Sequence, residues 1–257
     1  MQVNHSKWAF VPDTYWMDLS VVPAARRRGH GTALYEEGMR ILRGRDARRV
    51  RAGTKESMAD GVAFLLQQRF VETKRDWESR LRLRDFDLGR FAGARERVEA
   101  HGVTITTLAA EMARDEDAAR KTYDLNTHVQ MDVPSTDPAT PIDFDPWRKG
   151  HLEGPHAILD AFFLAVGRDG RYLGLSYLER SAEDPTFFWQ GLTGVHRDAR
   201  GKGIAMALKL ETVRFARDRG VDHIKTWNDQ RNRPMLAINE ALGFEKQPAW
   251  IQFHKDL

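Results

Sequence analysis

Apolar positions fall into short alternating runs separated by longer runs at helical spacing. Tyr15–Val21, Arg48–Gly53 and Trp77–Leu83 read as strands, with helices expected over Thr32–Leu42 and Ala59–Arg69. Asp87 is placed to cap a connecting helix through Phe91 and Val98, which Gly102 would end. Val103-Thr104-Ile105-Thr106-Thr107 alternates with β-branched residues and predicts a strand, followed by a helix over Glu111–Asn126. Pro134, Pro138, Pro141 and Pro146 make 132–146 a loop. Ala161–Val166, Tyr172–Glu179 and Phe187–Val195 are further strands, the first two joined by a turn at Arg168-Asp169-Gly170. A helix over Ile204–Arg219, a strand His223–Thr226, a helix Met235–Leu242 and a strand Ala249–His254 complete an α/β pattern.

Two glycine-rich turns sit between a strand and a helix. The first is Arg26-Arg27-Arg28-Gly29-His30-Gly31 and the second is Arg200-Gly201-Lys202-Gly203-Ile204-Ala205. Such a turn aims backbone N–H groups at an anion, with the positive end of the helix dipole behind them. One copy is weak evidence, but a constant shift of 174 residues maps Val21 on Val195, Arg26 on Arg200, Gly29 on Gly203, Leu34 on Leu208 and Phe70 on Phe244. The match from strand through loop to the end of the next helix indicates tandem duplication, with a period too long for a solenoid.

The copies are unequal. Four strands precede the second cradle within its unit, whereas the first has some twenty residues before Val21, enough for one strand and part of another. Residues 1–85 therefore read as a partial unit, 86–102 as a connecting helix and 103–257 as a complete unit. Either the chain begins inside a longer protein or the first unit is a remnant. Its open sheet edge needs a cover, from the second unit or from another copy of the chain in a homodimer.

Val195-x-x-x-x-Arg200-Gly201-x-Gly203-Ile204-Ala205-x-x-Leu208 resembles the acetyl-CoA signature of the GCN5-related N-acetyltransferases, the GNAT superfamily. Thr226-x-Asn228-x-x-x-Asn232-x-x-Met235-x-x-Ile238-Asn239-x-x-Leu242-Gly243-Phe244 resembles that family's later strand and helix, and Val21-x-Pro23-x-x-Arg26-Arg27-x-Gly29-x-Gly31 repeats the signature. The resemblance implies a mixed, mostly antiparallel central sheet flanked by helices, one complete and one partial copy in tandem. It also implies acetyl transfer from acetyl-CoA to a primary amine of a small molecule, without a metal.

Composition narrows the setting. The chain has 257 residues, 41% of them hydrophobic, and no cysteine, which rules out disulfides, thiolate metal sites and a cysteine nucleophile. No apolar run approaches the roughly 18 residues of a membrane span, and MQVNHSKWAF has no apolar signal core, so a cytoplasmic protein is expected. Net charge is +3, with 18 Lys/Arg against 12 Asp/Glu in residues 1–93. Arg26–Arg28 and Arg48, Arg49 and Arg51 account for much of that excess. Scattered surface arginines and a nucleotide-phosphate loop explain it better than a nucleic-acid partner.

By the resemblance, backbone N–H groups of Gly201, Lys202, Gly203, Ile204 and Ala205 would hold the CoA pyrophosphate, with Arg200 opening the turn. Main chain of Leu192, Thr193 and Val195 would meet the pantetheine arm, with Asn228 and Asn232 hydrogen-bonding it. Both asparagines also suit turns and helix caps. Many relatives carry a tyrosine acid where this chain has Asn239, and an amide donates a hydrogen bond but cannot supply that proton. Asn239 remains a candidate for polarising the thioester, and Tyr177 or Tyr123 for replacing the acid. Glu179, Asp160 and His128 are candidate bases, and Trp147, Trp189 and Trp227 candidate walls of the acceptor cleft. In the first copy Met58, Leu65 and Arg69 stand where Asn232, Asn239 and Gly243 stand in the second, so Arg26–Gly31 is at most a second, non-catalytic CoA site. The opposing reading is a non-catalytic acyl-CoA-binding or scaffolding protein.

Overall fold

In the computed structural model, which describes residues 1–6, 10–136, 140, 142–182 and 184–257, eleven strands join in one mixed sheet. Pro138 and Pro141 lie outside the described residues. The chain runs β1 (Gln2–Asn4), β2 (Thr14–Asp18), α1 (His30–Arg43), β3 (Arg49–Lys55), α2 (Ala59–Gln67) and β4 (Val71–Arg82). A 3-10 turn over Leu88–Phe91 and helix α3 (Ala94–Ala100) lead to β5 (Val103–Thr107), α4 (Leu108–Met112), α5 (Ala118–Gln130) and α6 (Phe144–His151). Then come β6 (Phe162–Gly167), β7 (Tyr172–Arg180), β8 (Phe187–Val195), α7 (Ile204–Asp218), β9 (His223–Asp229), α8 (Arg233–Leu242), β10 (Glu245–Lys246) and β11 (Trp250–Asp256).

The strands lie in the order β1-β2-β3-β11-β4-β9-β8-β7-β6-β5, with β10 also on β4. Only β2/β3 and β8/β9 are parallel. This is the mixed, mostly antiparallel sheet flanked by helices that the sequence implies. Some element bounds differ from expectation, for local reasons. Asp87 Oδ1 accepts from Gly89 N at 2.8 Å and caps the 3-10 turn, and Gly93 at φ 76° breaks the connection before α3. An Asx turn, Asp117 N to Asp115 Oδ1 at 2.9 Å, divides the expected 111–126 helix into α4 and α5. Helix α6 starts inside the proline-rich segment because Pro146 falls in its first turn, where no N–H is missed.

The larger surprise is how the two copies join. β11, the last strand, lies between β3 and β4: Phe253 pairs with Ala52 on one side and Glu72 on the other. β4 in turn pairs with β9 from Asp76↔Asp229 to Arg82↔His223. Each unit thus lends a strand to the other. The expected strand Trp77–Leu83 is the second half of β4; its polar start, Val-Glu-Thr-Lys-Arg-Asp, escapes a periodicity reading, and it pairs with β11, with only Asp76 of it also reaching β9.

The cores follow the same exchange. Ile251 and Phe253 pack with Tyr15, Met17, Tyr35, Leu42, Val50, Leu65 and Phe70 of the first copy. Leu81 and Leu83 pack with Leu210, Val213, Ile224, Leu242 and Phe244 of the second. The second unit joins the first at the β11/β4 end of its sheet, while the opposite edge ends in the three-residue β1, paired among the described residues with β2. No strand of the second unit pairs with that edge among the described residues.

Candidate functional site: a split between parallel strands

Strands β8 and β9 start side by side and then part. They pair at Phe187↔His223, Phe188↔Ile224 and Trp189↔Lys225, yet β8 continues to Val195 and β9 to Asp229. Beyond Trp189 the edge of β8 that faces β9 carries no ladder pairing among the described residues. On its other edge a bulge sets Gly191 and Leu192 against Tyr177 alone, since Ser176 pairs with Thr193 and Leu178 with Gln190. An ideal Cβ on Gly191 would lie 2.1 Å from the Tyr177 ring, so the bulge needs glycine there.

The second cradle closes one end of this split. Gly201 and Gly203 have φ of 79° and 78°, and Cβ atoms built on them meet nothing within 4 Å. Glycine is required by the backbone conformation, and the space before it is open. Gly203 is the N-cap of α7, whose first N–H groups therefore point out of the helix without intrahelical partners. Arg200 braces the turn: its Nε donates to Val195 O at 3.2 Å, and its Nη2 pairs with Asp132 just beyond α5. Arg197 holds the same carboxylate, Nε to Oδ1 at 3.1 Å. Hydrogen bonding from Arg197, then Arg200, pulls the Asp132 pKa down to about 2.

Between β7, β8 and α7 buried polar side chains form a connected set. Ser176 Oγ and Thr193 Oγ1 are 2.8 Å apart, Gln190 Nε2 donates to Ser176 Oγ at 3.1 Å, and Thr212 of α7 donates to Gln190 Oε1 at 2.9 Å. Asn239 Nδ2 donates to Asn228 Oδ1 at 2.6 Å, leaving its own buried Oδ1 without a partner. Asn232 caps α8, its Oδ1 accepting from Met235 N at 3.4 Å. The expected cap is present, and it leaves the Asn232 Nδ2 for other partners. An orphaned buried acceptor, an unpaired strand edge and a cradle empty of Cβ atoms together suit an elongated ligand with amide and phosphate groups.

On the opposite face of the sheet, Tyr177, Glu179, Trp189 and Trp227 form an arc. Tyr177 stacks on Phe162 at 4.6 Å; burial pushes its hydroxyl pKa up, with the Glu179 charge adding and a hydrogen bond from the Leu192 backbone opposing. Glu179 lies across from Trp189, which stacks on Trp227 at 6.4 Å. His151, at the end of α6, stands over this arc with Nδ1 3.5 Å from Glu179 Oε1 and its ring 5.8 Å from that of Tyr177. Sequence reasoning missed His151, because the helix carrying it lay hidden behind four prolines. The other candidates disperse. Trp147 is 3% exposed and belongs to the core. Tyr123 spends its hydroxyl on Ile142 O at 2.8 Å. His128 stacks on His196 at 4.2 Å beside the cradle strand, and Asp160 lies in a 3-10 turn before β6.

Residues 3–70 and 132–244 match the model of the Acetyltransferase (GNAT) family. The chain belongs to that family. It is 28% identical over 252 residues to a mycothiol acetyltransferase of Saccharomonospora viridis, covering 92% of this chain and 72% of the relative. A mycothiol acetyltransferase of Thermomonospora curvata is 29% identical, with the same coverages. Among solved structures, a GCN5-related N-acetyltransferase from Sphaerobacter thermophilus superposes with a TM-score of 0.70 at 22% identity, covering 99% of this chain and 75% of that one. A tandem GNAT protein from the clavulanic acid biosynthesis pathway gives 0.64 at 21% identity, over 95% and 75%. The tandem architecture, similar to that of mycothiol synthase, is thus shared at the level of fold.

The first GNAT copy repeats the cradle without its surroundings. Gly29 has φ 82° with open space before it, and Arg26 Nε donates to Val21 O at 3.1 Å, as Arg200 does to Val195. Arg27 (φ 61°) and Arg69 (φ 62°) hold the left-handed backbone of Gly201 and Gly243 without being glycine. Among the described residues no group of three metal-binding side chains gathers anywhere, and no helix is long and apolar enough to cross a membrane.

Proposed function

We propose that the chain transfers an acetyl group from acetyl-CoA to a primary amine of a small molecule, in a centre built by residues 103–257. Residues 1–85 would be a partial, non-catalytic copy joined through 86–102, and the setting a cytoplasmic one. The observation that carries this reading is the open glycine cradle at the end of an unpaired strand edge. Gly201, Lys202, Gly203, Ile204 and Ala205 would hold the pyrophosphate. Leu192, Thr193 and Val195 would meet the arm, with Asn228 and Asn232 beside them.

Acetyl-CoA supplies an activated thioester. The acceptor amine must lose a proton before it can attack; His151 would take it, with the Glu179 carboxylate 3.5 Å from its Nδ1 stabilising the imidazolium so formed. Tyr177, its pKa raised by burial, keeps its proton through neutral pH; its oxygen accepts from the Leu192 backbone, which would leave the O–H to protonate the departing CoA thiolate. Asn239 can polarise a developing charge but supplies no proton. That last point favours the second reading, an acyl-CoA-binding protein without turnover. The mycothiol acetyltransferase relatives put an acceptor of the mycothiol kind into the first set of compounds to assay.

Steady-state thiol release across a panel of primary amines separates the two readings. Amine-dependent release is expected, and Gly203→Glu in a chain whose first cradle is also disabled should abolish it by steric and like-charge conflict. Binding of acetyl-CoA with no release for any amine would favour the second reading, and full activity of the Gly203→Glu chain would overturn both.

A further inference from the structure

At the end of the sheet away from the split, β4 and β9 set cations against cations. Arg80 pairs with Lys225 and Arg82 with His223, so four basic side chains share one face. Like charges directly opposite one another across a ladder destabilise it unless something compensates. Compensation from the protein is partial. Arg82 reaches Glu245 at 2.8 Å and Arg80 stands 3.6 Å from Glu78, while Lys225 Nζ lies 3.6 Å from the Phe187 ring centroid.

A pocket opens onto this block, lined by Arg80, Arg82, Arg84, Arg217 and His223, with Asp85 and Asp222 the acids among its lining residues. Arg84 and Arg217 have no carboxylate partner among the described residues. Arg217 also suits the last turn of α7, where a cation meets the negative end of the helix dipole. That role explains one arginine, not the convergence. Two polar nitrogens in the lining, the donor Arg80 Nε and His223 Nε2, are buried without a hydrogen-bond partner. Buried polar atoms of that kind are ordinarily satisfied. The His223 ring is fixed by stacking on Phe187 at 5.2 Å and 17°. Its pKa is lowered, first by burial and then by the charges of Arg80 and Lys225, with Asp222 and Asp184 opposing.

We propose that this pocket binds a phosphate oxyanion, at a site separate from the acetyl-transfer centre. Guanidinium groups bind phosphate oxygens through paired N–H donors, and a dianion would relieve the like-charge Arg80–Lys225 pair. The site exists only because β4 crosses from the first copy to lie against β9 of the second. The ligand is either free phosphate or a phosphate ester of a small molecule.

The test uses the full chain with histidines carbon-13 labelled and ionic strength matched with chloride. Inorganic phosphate and glucose 6-phosphate are titrated separately. The His223 ring should titrate about one pH unit higher with a saturating anion, since a nearby negative charge favours the imidazolium. Binding should weaken at least tenfold in Arg84→Gln/Arg217→Gln, whose exposed side chains leave folding intact. Tighter binding of the ester identifies a phosphorylated small molecule as the ligand; equal binding identifies the free anion. A His223 titration unmoved by tens of millimolar of either probe overturns the proposal, as does equal affinity in the double variant.

Discussion

Truncating Phe253 to alanine tests whether the two copies are one cooperative body. Phe253 is 1% exposed and sits in β11, paired with Ala52 of β3 and Glu72 of β4. Its ring belongs to the core of Tyr35, Leu42, Val50 and Phe70, all of the first copy, while its backbone continues from the second. Removing a buried phenylalanine ring costs about 3–5 kcal/mol, from lost transfer energy and the cavity left behind. Against a typical total of about 5–15 kcal/mol this is a large fraction, and for a chain of this length it lowers the melting temperature by roughly 10 °C. Differential scanning calorimetry should show one transition, displaced as a whole, because β4 is shared between β11 and β9. Hydrogen exchange should speed up in α7 and β8 as well as in α1 and β3. If the variant melts in two steps, with the second-copy transition at its wild-type temperature, the exchanged strands do not couple the units.

Four shorter predictions follow. Arg69→Gly should stabilise the chain by about 0.5–1 kcal/mol in urea, because a left-handed residue with a Cβ costs about 1–2 kcal/mol while glycine gives part of that back in the unfolded chain; a loss of stability would mean that the Arg69 side chain outweighs its strain. Lys209 is 1% exposed and burial alone lowers its pKa from 10.5 to about 7, so the folded chain is penalised most below pH 7 and the penalty fades as pH rises toward 10.5. Lys209→Met should therefore stabilise by up to a few kcal/mol at pH 6 and by little at pH 10, and a pH-independent difference would refute the cause. Asn239→Ala should reduce turnover modestly and leave acetyl-CoA affinity near normal, since one hydrogen bond to a developing charge is worth at most a few kcal/mol; an unchanged rate would remove Asn239 from the site. His151→Gln should lower kcat by about 10²–10⁴-fold, with the KM for acetyl-CoA held and partial rescue by added imidazole; loss without rescue would make His151 a packing residue.

The cradle was legible because its chemistry demands a short, contiguous pattern. Gly201 and Gly203 take left-handed backbone that few other residues adopt, and Arg200 must reach back five residues to Val195 O. Sequence carries such local constraints directly. The acceptor side was legible only in part. Tyr177, Glu179, Trp189 and Trp227 come together through strand register, which alternation along each strand suggests, but His151 arrives on a helix that begins at Phe144 inside a proline-rich stretch. Strand exchange was not legible at all. Periodicity locates a strand without naming its neighbours, and the charged start of β4 conceals the half of it before Trp77.

Duplication explains where such readings go astray. The first copy keeps its backbone more faithfully than its residues: Arg27 and Arg69 remain left-handed where the second copy has Gly201 and Gly243. At Arg69 surrounding packing can hold such a geometry, because the next residue, Phe70, lies in a core with the lent residues Ile251 and Phe253. The positions proposed to line the split in the second copy have no such support. Met58 and Leu65 replace Asn232 and Asn239, and Leu65 simply joins the core. A unit freed from chemistry but still needed as a packing partner would drift in this manner, losing polar side chains at the split while holding its turns. The same reasoning makes Asn239 informative. It sits in the copy whose cradle glycines are intact, hydrogen-bonded to Asn228 with its own oxygen left open, so its departure from tyrosine is a change within a polar site and not the apolar drift seen at Leu65.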